Sequence, residues 1–128
     1  MRKILLVEDE DLLRETTSMI ISSQPYLLDV AENGQVALEK TTQAIYDLIL
    51  LDLMMPVMNG VEFLQHFAPV MPPQTRVIVL SNLSSGAELD AVMKQGAHRS
   101  LLKANLSPKQ LLAAIRYELD ASDPARIL

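Results

Sequence analysis

Residues 47–60 read DLILLDLMMPVMNG. Leu48 to Leu51 is an unbroken apolar run, and it ends on a carboxylate, Asp52. Pro56 and the pair Asn59-Gly60 follow at once, and all three are turn residues. A short apolar run closed by turn signals reads as a strand covered on both faces. An aspartate at the end of such a strand is, taken alone, more often a turn former than a reacting group. What surrounds it decides.

Working outward, similar runs recur at Lys3–Val7, Tyr26–Ala31, Arg76–Leu80 and His98–Leu102. Segments of helical period lie between them. Leu12, Thr16, Met19 and Ile20 share one face, as do Val36, Ala37, Lys40 and Ala44, then Val61, Leu64 and Ala68. Leu89, Val92 and Met93 form a fourth stripe, and Leu111, Leu112, Ile115 and Leu119 a fifth. Gly96 stands where a left-handed C-cap belongs. Ser107, Pro108 and Gln110 form the start signal of the last helix. Strand and helix thus alternate five times. This predicts a doubly wound (βα)5 three-layer sandwich on a parallel five-stranded sheet. The mixed second and fifth strands suit the edges, which selects the flavodoxin-like order 2-1-3-4-5.

Composition bounds the possibilities. The chain has 128 residues and no cysteine, which excludes a disulfide scaffold and a thiolate metal site. The expected division is one domain over residues 1–120, with 121–128 as a tail or the start of a linker. A net charge of −5 argues against direct nucleic-acid binding, which needs clustered Lys and Arg. No apolar run approaches the roughly 20 residues of a membrane span. The start MRKILLVEDED turns acidic too early for a signal peptide, so a cytoplasmic location is expected.

In a sheet of this order, ligands bind beyond the carboxyl ends of the strands. Glu8 and Asp9 follow the first strand, Asp52 ends the third, Ser81 and Asn82 follow the fourth, and Lys103 follows the fifth. Crowded carboxylates raise one another's pKa unless a cation is present. A hard divalent ion such as Mg²⁺ suits oxygen ligands, and Lys103 suits a phosphoryl oxygen. A carboxylate so placed can act as a nucleophile and become an aspartyl phosphate.

These residues carry a resemblance. LLVEDE at Leu5–Glu10, DLMMPVMNG at Asp52–Gly60, Ser81, the pair Gly96-Ala97 and Lys103 make the chain similar to the receiver, or CheY-like response-regulator, domains of two-component phosphorelay signalling. The resemblance implies that Asp52 is the phosphoacceptor. It implies that Asp9, Asp52 and the backbone carbonyl of Met54 hold Mg²⁺, with Glu8 helping directly or through water. Lys103 would contact the phosphoryl group, and Ser81 would hydrogen-bond it after transfer. The donor would be a phosphohistidine on a sensor histidine kinase or a histidine phosphotransfer protein. The domain would be a switching module for an output partner rather than a turnover enzyme.

Departures accompany the match. Ala104 stands where the family usually has proline after the lysine, so a trans bond or an altered loop is expected. Ser100 replaces the usual aromatic residue, which removes the ordinary serine–aromatic switch. Asn82 is bulkier than the small residue common at its position. A non-phosphorylated pseudo-receiver acting as a scaffold is therefore the alternative. A haloacid-dehalogenase-type phosphatase would need a second aspartate where Met54 stands, and no glycine-rich phosphate loop is present. Met54, Met55 and Met58 are read as packing residues, and His66 and His98 as surface or edge residues. Leu101, Leu106 and Leu112 are either ordinary core or a partner face, the latter implying a homodimer through the fourth helix, fifth strand and fifth helix.

Overall fold

A computed structural model describes residues 1–82 and 85–121. The expected tail at 121–128 therefore lies outside the described residues except for Ala121. The chain alternates as predicted: β1 (Lys3–Val7), α1 (Asp11–Ser22), β2 (Leu27–Ala31), α2 (Gly34–Gln43), β3 (Leu48–Asp52), α3 (Gly60–Phe67), β4 (Arg76–Ser81), α4 (Gly86–Lys94), β5 (Arg99–Leu102) and α5 (Pro108–Ala121). Short 3-10 turns occupy Ala68–Val70 and Lys103–Asn105. All strand pairs are parallel, in the order β2-β1-β3-β4-β5.

The alternation of side chains along each strand divides the core. Leu5, Val7, Ile49, Leu51, Val77 and Val79 point to one face, where Ala37 of α2, Phe63 and Phe67 of α3 and Val92 of α4 cover them. Ile4, Leu6, Leu48, Leu50 and Ile78 point to the other, against Ile21 of α1 and Leu111, Ile115 and Leu119 of α5. Both faces of β1, β3 and β4 are thus dry, which is why these strands lack a polar face. Each such Leu, Ile or Val contributes about 1.5–3 kcal/mol by leaving water.

The helix faces depart from the sequence reading at α1. Leu12 and Met19 are 71% and 69% exposed, while Thr17 and Ile21 are buried. The helix carries apolar residues on adjacent stripes, and packing on the sheet selects the one through Leu13, Thr17, Ile20 and Ile21. In α3 the periodic reading passes over Phe63 and Phe67, whose rings stack at 5.3 Å between centroids. Leu101 and Leu106 are partly buried and pack against the α1–α5 core. Both also line a groove of about 520 Å³, together with Arg99, Leu102, Gln110 and Tyr117 among others.

Capping follows the sequence closely. Gly96 has φ +112 directly after α4, and Ser107 and Gln110 exchange side-chain-to-backbone hydrogen bonds at the start of α5. Tyr46 Oη donates to Asp29 at 2.6 Å, fastening the β2 edge to the start of β3. Among the described residues, no helix is long and apolar enough to cross a membrane.

Candidate functional site

Strand register sets the stage. Val7 pairs with Leu51, Asp52 with Leu80, and Ser81 with Leu102. Strands β1, β3, β4 and β5 therefore end along one line, and the last residue of β3 and β4 and the residue just after β1 and β5 share one rim. Glu8, Asp52, Ser81 and Lys103 reach that rim from β1, β3, β4 and β5.

Asp52 is held rigidly because the chain folds back on it. Leu53 is fully buried, and the Gly60 N–H donates to its carbonyl at 3.0 Å. A Cβ built on Gly60 would lie 2.6 Å from the Asp52 carbonyl oxygen. The Gly34 N–H donates to the Met58 carbonyl at 2.8 Å, tying the loop to α2. Asn59 caps α3 in a reciprocal box with Glu62. The left-handed position of this turn falls on Val57, at φ +69, rather than on the Asn-Gly pair. Gly60 is needed for close approach, not for a special backbone angle. Met55 and Met58 pack against the core as expected, while Met54 is half exposed.

The acidic turn after β1 is organised by a residue the sequence reading passed over. Arg14 Nη1 donates to the carbonyls of Glu8 and Asp9 at 3.0 and 3.4 Å, and Nη2 pairs with Asp11 at 2.6 Å. The three-residue spacing of Asp11 and Arg14 is legible in sequence, but the carbonyl contacts are not. Glu10, not Asp9, occupies the N-cap of α1, and its side chain makes no capping bond. Asp9 is thus available to the pocket.

Glu8, Asp9 and Asp52 each contribute a carboxylate oxygen to a cluster spanning no more than 4.8 Å. Glu8 is 2% exposed and Asp52 5%. Lys103 Nζ lies between two of them, 2.8 Å from Glu8 Oε1 and 3.1 Å from Asp52 Oδ2. Burial first, and then the Glu8 charge, push the Asp52 carboxyl up to about 6 against the pull of Lys103. Burial alone would lower the Lys103 ammonium, but its hydrogen bond to Glu8 and the charge of Asp52 outweigh that and raise it. One ammonium faces three carboxylates, so negative charge is in surplus. The donor set is all oxygen, crowded and short of positive charge, which fits a hard divalent cation.

The other residues read from the sequence take different places. The Ser81 hydroxyl is buried and donates to the Leu101 carbonyl at 3.5 Å. Asn82 is exposed and accepts from the Ser85 hydroxyl at 2.7 Å, so its side chain serves the turn before α4. The Met54 N–H faces Asp52 Oδ1 at 3.4 Å. Ser100 is exposed, and Ala104 lies in the 3-10 turn with no cis bond among the described residues. His66 is exposed, whereas His98 is half buried and its Nδ1 accepts from the Val77 N–H at 2.9 Å.

A second charged cluster was not read from the sequence. Glu118, on the buried face of α5, is 3% exposed and receives Arg76 Nε and Nη2 at 3.0 and 2.8 Å. Arg99 Nη1 stands 3.9 Å from its other oxygen, and lies over the Tyr117 ring. The signal was available: Glu118 follows Leu111 and Ile115 at helical spacing, a charge on an apolar stripe.

Comparisons with known proteins identify the family and the fold. The family description "Response regulator receiver domain" matches residues 4–116. The transcriptional regulatory protein ResD of Bacillus subtilis is 33% identical over 114 residues, covering 89% of this chain and 46% of ResD. The response regulator ArlR of Staphylococcus saprophyticus is 34% identical over 116 residues, covering 91% of this chain and 51% of ArlR. The chain spans about half the length of these relatives. Among solved structures, a CheY-like receiver domain protein of Methanospirillum hungatei superposes with a TM-score of 0.88 at 24% identity, over 95% of this chain and 96% of that one. The response regulator TrrA of Thermotoga maritima, solved in complex with Mg(2+)-BeF, gives 0.81 at 28% identity, over 93% of this chain and all of that one. The family description covers nearly the whole length of a chain whose parallel sheet runs in the order 2-1-3-4-5: the chain belongs to the receiver domains of two-component response regulators.

Proposed function

We propose that Asp52 accepts a phosphoryl group from a phosphohistidine, with Mg²⁺ held by Asp9, Asp52, the Met54 carbonyl and Glu8. The observation that carries the reading is the Lys103 ammonium 3.1 Å from a buried Asp52 at the rim of the central strand. An Asp52 carboxyl titrating near 6 is largely ionised at neutral pH and so able to act as a nucleophile. One oxygen of Asp52 forms the new P–O bond as the P–N bond to the donor imidazole breaks, and the leaving nitrogen keeps that electron pair. Mg²⁺, when bound, supplies charge neutralisation for the phosphoryl oxygens. Lys103 does the same from the β5 side. Ser81, whose resting bond to Leu101 is long, is placed to exchange that carbonyl for a phosphoryl oxygen. The Mg(2+)-BeF complex of the similar TrrA supports the choice of ion.

The receiver is proposed to occupy residues 1–120. Its partners would be a sensor histidine kinase or phosphotransfer protein and an output domain or protein. The outer groove of β5 and α5 is a surface on which that output, or a second copy, would sit. The test is incubation with acetyl phosphate, with and without Mg²⁺, followed by intact mass. A phosphoryl adduct that needs Mg²⁺ and is lost in Asp52→Asn is expected. No adduct under any condition would overturn the reading and favour a pseudo-receiver scaffold, the alternative that Ser100 and Ala104 raise.

A further inference from the structure

Glu8 has a task beyond adding one more acid to the pocket. Its side chain is 2% exposed, and both of its oxygens are engaged. Oε1 takes Lys103 Nζ at 2.8 Å, and Oε2 accepts the Glu10 N–H at 3.2 Å. The backbone on either side is fixed as well, through Arg14 on the Glu8 and Asp9 carbonyls and through the Glu8 N–H on the Ala31 carbonyl at 3.0 Å. Lys103 enters from the far edge of the sheet, and its closer contact is with Glu8 rather than with Asp52.

We infer that Glu8 is a positioning residue that locks Lys103 in the resting pocket, so that a divalent cation gains its oxygens only by releasing the lysine. The inference rests on the receiver reading and deepens it. Two of the three carboxylates that a cation would use already hold the ammonium. Cation and ammonium are therefore competitors for the same carboxylates. Release of Glu8 frees Lys103 to turn towards the phosphoryl group when the cation arrives. Cation entry thus arms the lysine.

Side-chain length sets the lock. An aspartate at position 8 is shorter by one carbon–carbon bond, about 1.5 Å. From the same backbone it cannot keep a direct contact with Lys103, because a hydrogen bond does not survive that extension. It would still leave a carboxylate at the rim. Glu8→Asp therefore separates the lock from the charge.

The experiment is calorimetric titration of the apo domain with Mg²⁺ alone, in wild type, Glu8→Asp, Lys103→Met and the double variant. Glu8→Asp is expected to bind Mg²⁺ at least about threefold more tightly than wild type, the effect of removing one charge-assisted contact to the competitor. Lys103→Met is expected to tighten binding too, and the double variant to fall short of the product of the two gains, because both remove one contact. Unchanged or weaker binding in Glu8→Asp, or gains that multiply, would overturn the lock. A second measurement needs no variant: in protein labelled at lysine nitrogen, saturating Mg²⁺ should displace the Lys103 Nζ resonance, and an unmoved resonance overturns the proposal. The two readings fail separately. A missing acetyl phosphate adduct with the Mg²⁺ ranking intact sinks the phosphoacceptor role alone. A normal adduct with unchanged Mg²⁺ affinity in Glu8→Asp sinks the lock alone.

Discussion

Gly60 sits against the back of Asp52: a Cβ on the glycine would meet the aspartate's carbonyl oxygen at 2.6 Å and Leu53 Cα at 3.0 Å. The atoms in the way are backbone, so they cannot rotate aside. The loop between β3 and α3 closes only because this residue has no side chain. Gly60→Ala should therefore push β3 and α3 apart at the residue that carries the site. A loss of about 1–3 kcal/mol is expected from such overpacking, read as a lower urea midpoint. An unchanged midpoint, with Mg²⁺ affinity intact, would show that the loop has slack that this geometry denies.

Val57 makes the opposite prediction. It holds φ +69 with its side chain 78% exposed. A β-branched residue is strained there, at a cost of roughly 1 kcal/mol, and little packing offsets it. Val57→Asn should raise stability by about that amount, since asparagine tolerates the left-handed region. Chemical denaturation measures it, and a decrease would refute the strain.

The pH dependence of Asp52 can be isolated by difference. Its folded pKa, about 6, lies above the unfolded value of 3.8. A raised pKa means the folded state binds the proton more tightly. The associated stability is fully present below pH 3.8 and is lost as pH rises through 6. Ionised Asp52 is thus a burden at pH 7. Asp52→Asn should be more stable than wild type at pH 7 without Mg²⁺, by about 2 kcal/mol once the roughly 3 kcal/mol of the full shift is reduced for solvent screening, and the gap should close on acidification towards pH 4. Mg²⁺ should narrow it from the other side by stabilising the wild type. A gap that does not vary between pH 4 and 7 would contradict the shift.

Glu118 and Arg76 predict a stability effect far from the rim. Removing the Glu118 charge leaves the Arg76 guanidinium, only a quarter exposed, without its partner. Glu118→Gln should cost about 2–3 kcal/mol, somewhat less than a fully buried pair because Arg76 retains some water. The double change Glu118→Leu with Arg76→Leu should recover part of that loss. Thermal unfolding of the three variants tests both statements.

The rim cluster was legible because its pieces are local. Strands β1, β3, β4 and β5 each end on or next to one of the residues of the rim, and the alternation of strand and helix brings those ends to one side. Glu8, Asp9, Asp52 and Lys103 were found that way, and so were the caps at Gly96 and Ser107. The α1 face was misread because Leu12 and Met19 are as apolar as the residues that turn inward, and periodicity cannot choose between neighbouring stripes. Val57 escaped notice because nothing in a valine announces a left-handed turn.

Sequence by itself thus determined the alternating architecture, the sheet order and the identities gathered at the rim, since hydrophobic period and turn chemistry are properties of neighbouring residues. Only the tertiary structure decided which partner each side chain takes. Lys103 could have faced Asp52 alone, yet it lies closer to Glu8, from a residue 95 positions away. Ser81 rests on Leu101, and Arg76 of β4 finds Glu118 on α5. Those choices depend on distances of an ångström between elements far apart in the chain, and such distances are set by packing of the whole core rather than by any stretch of sequence.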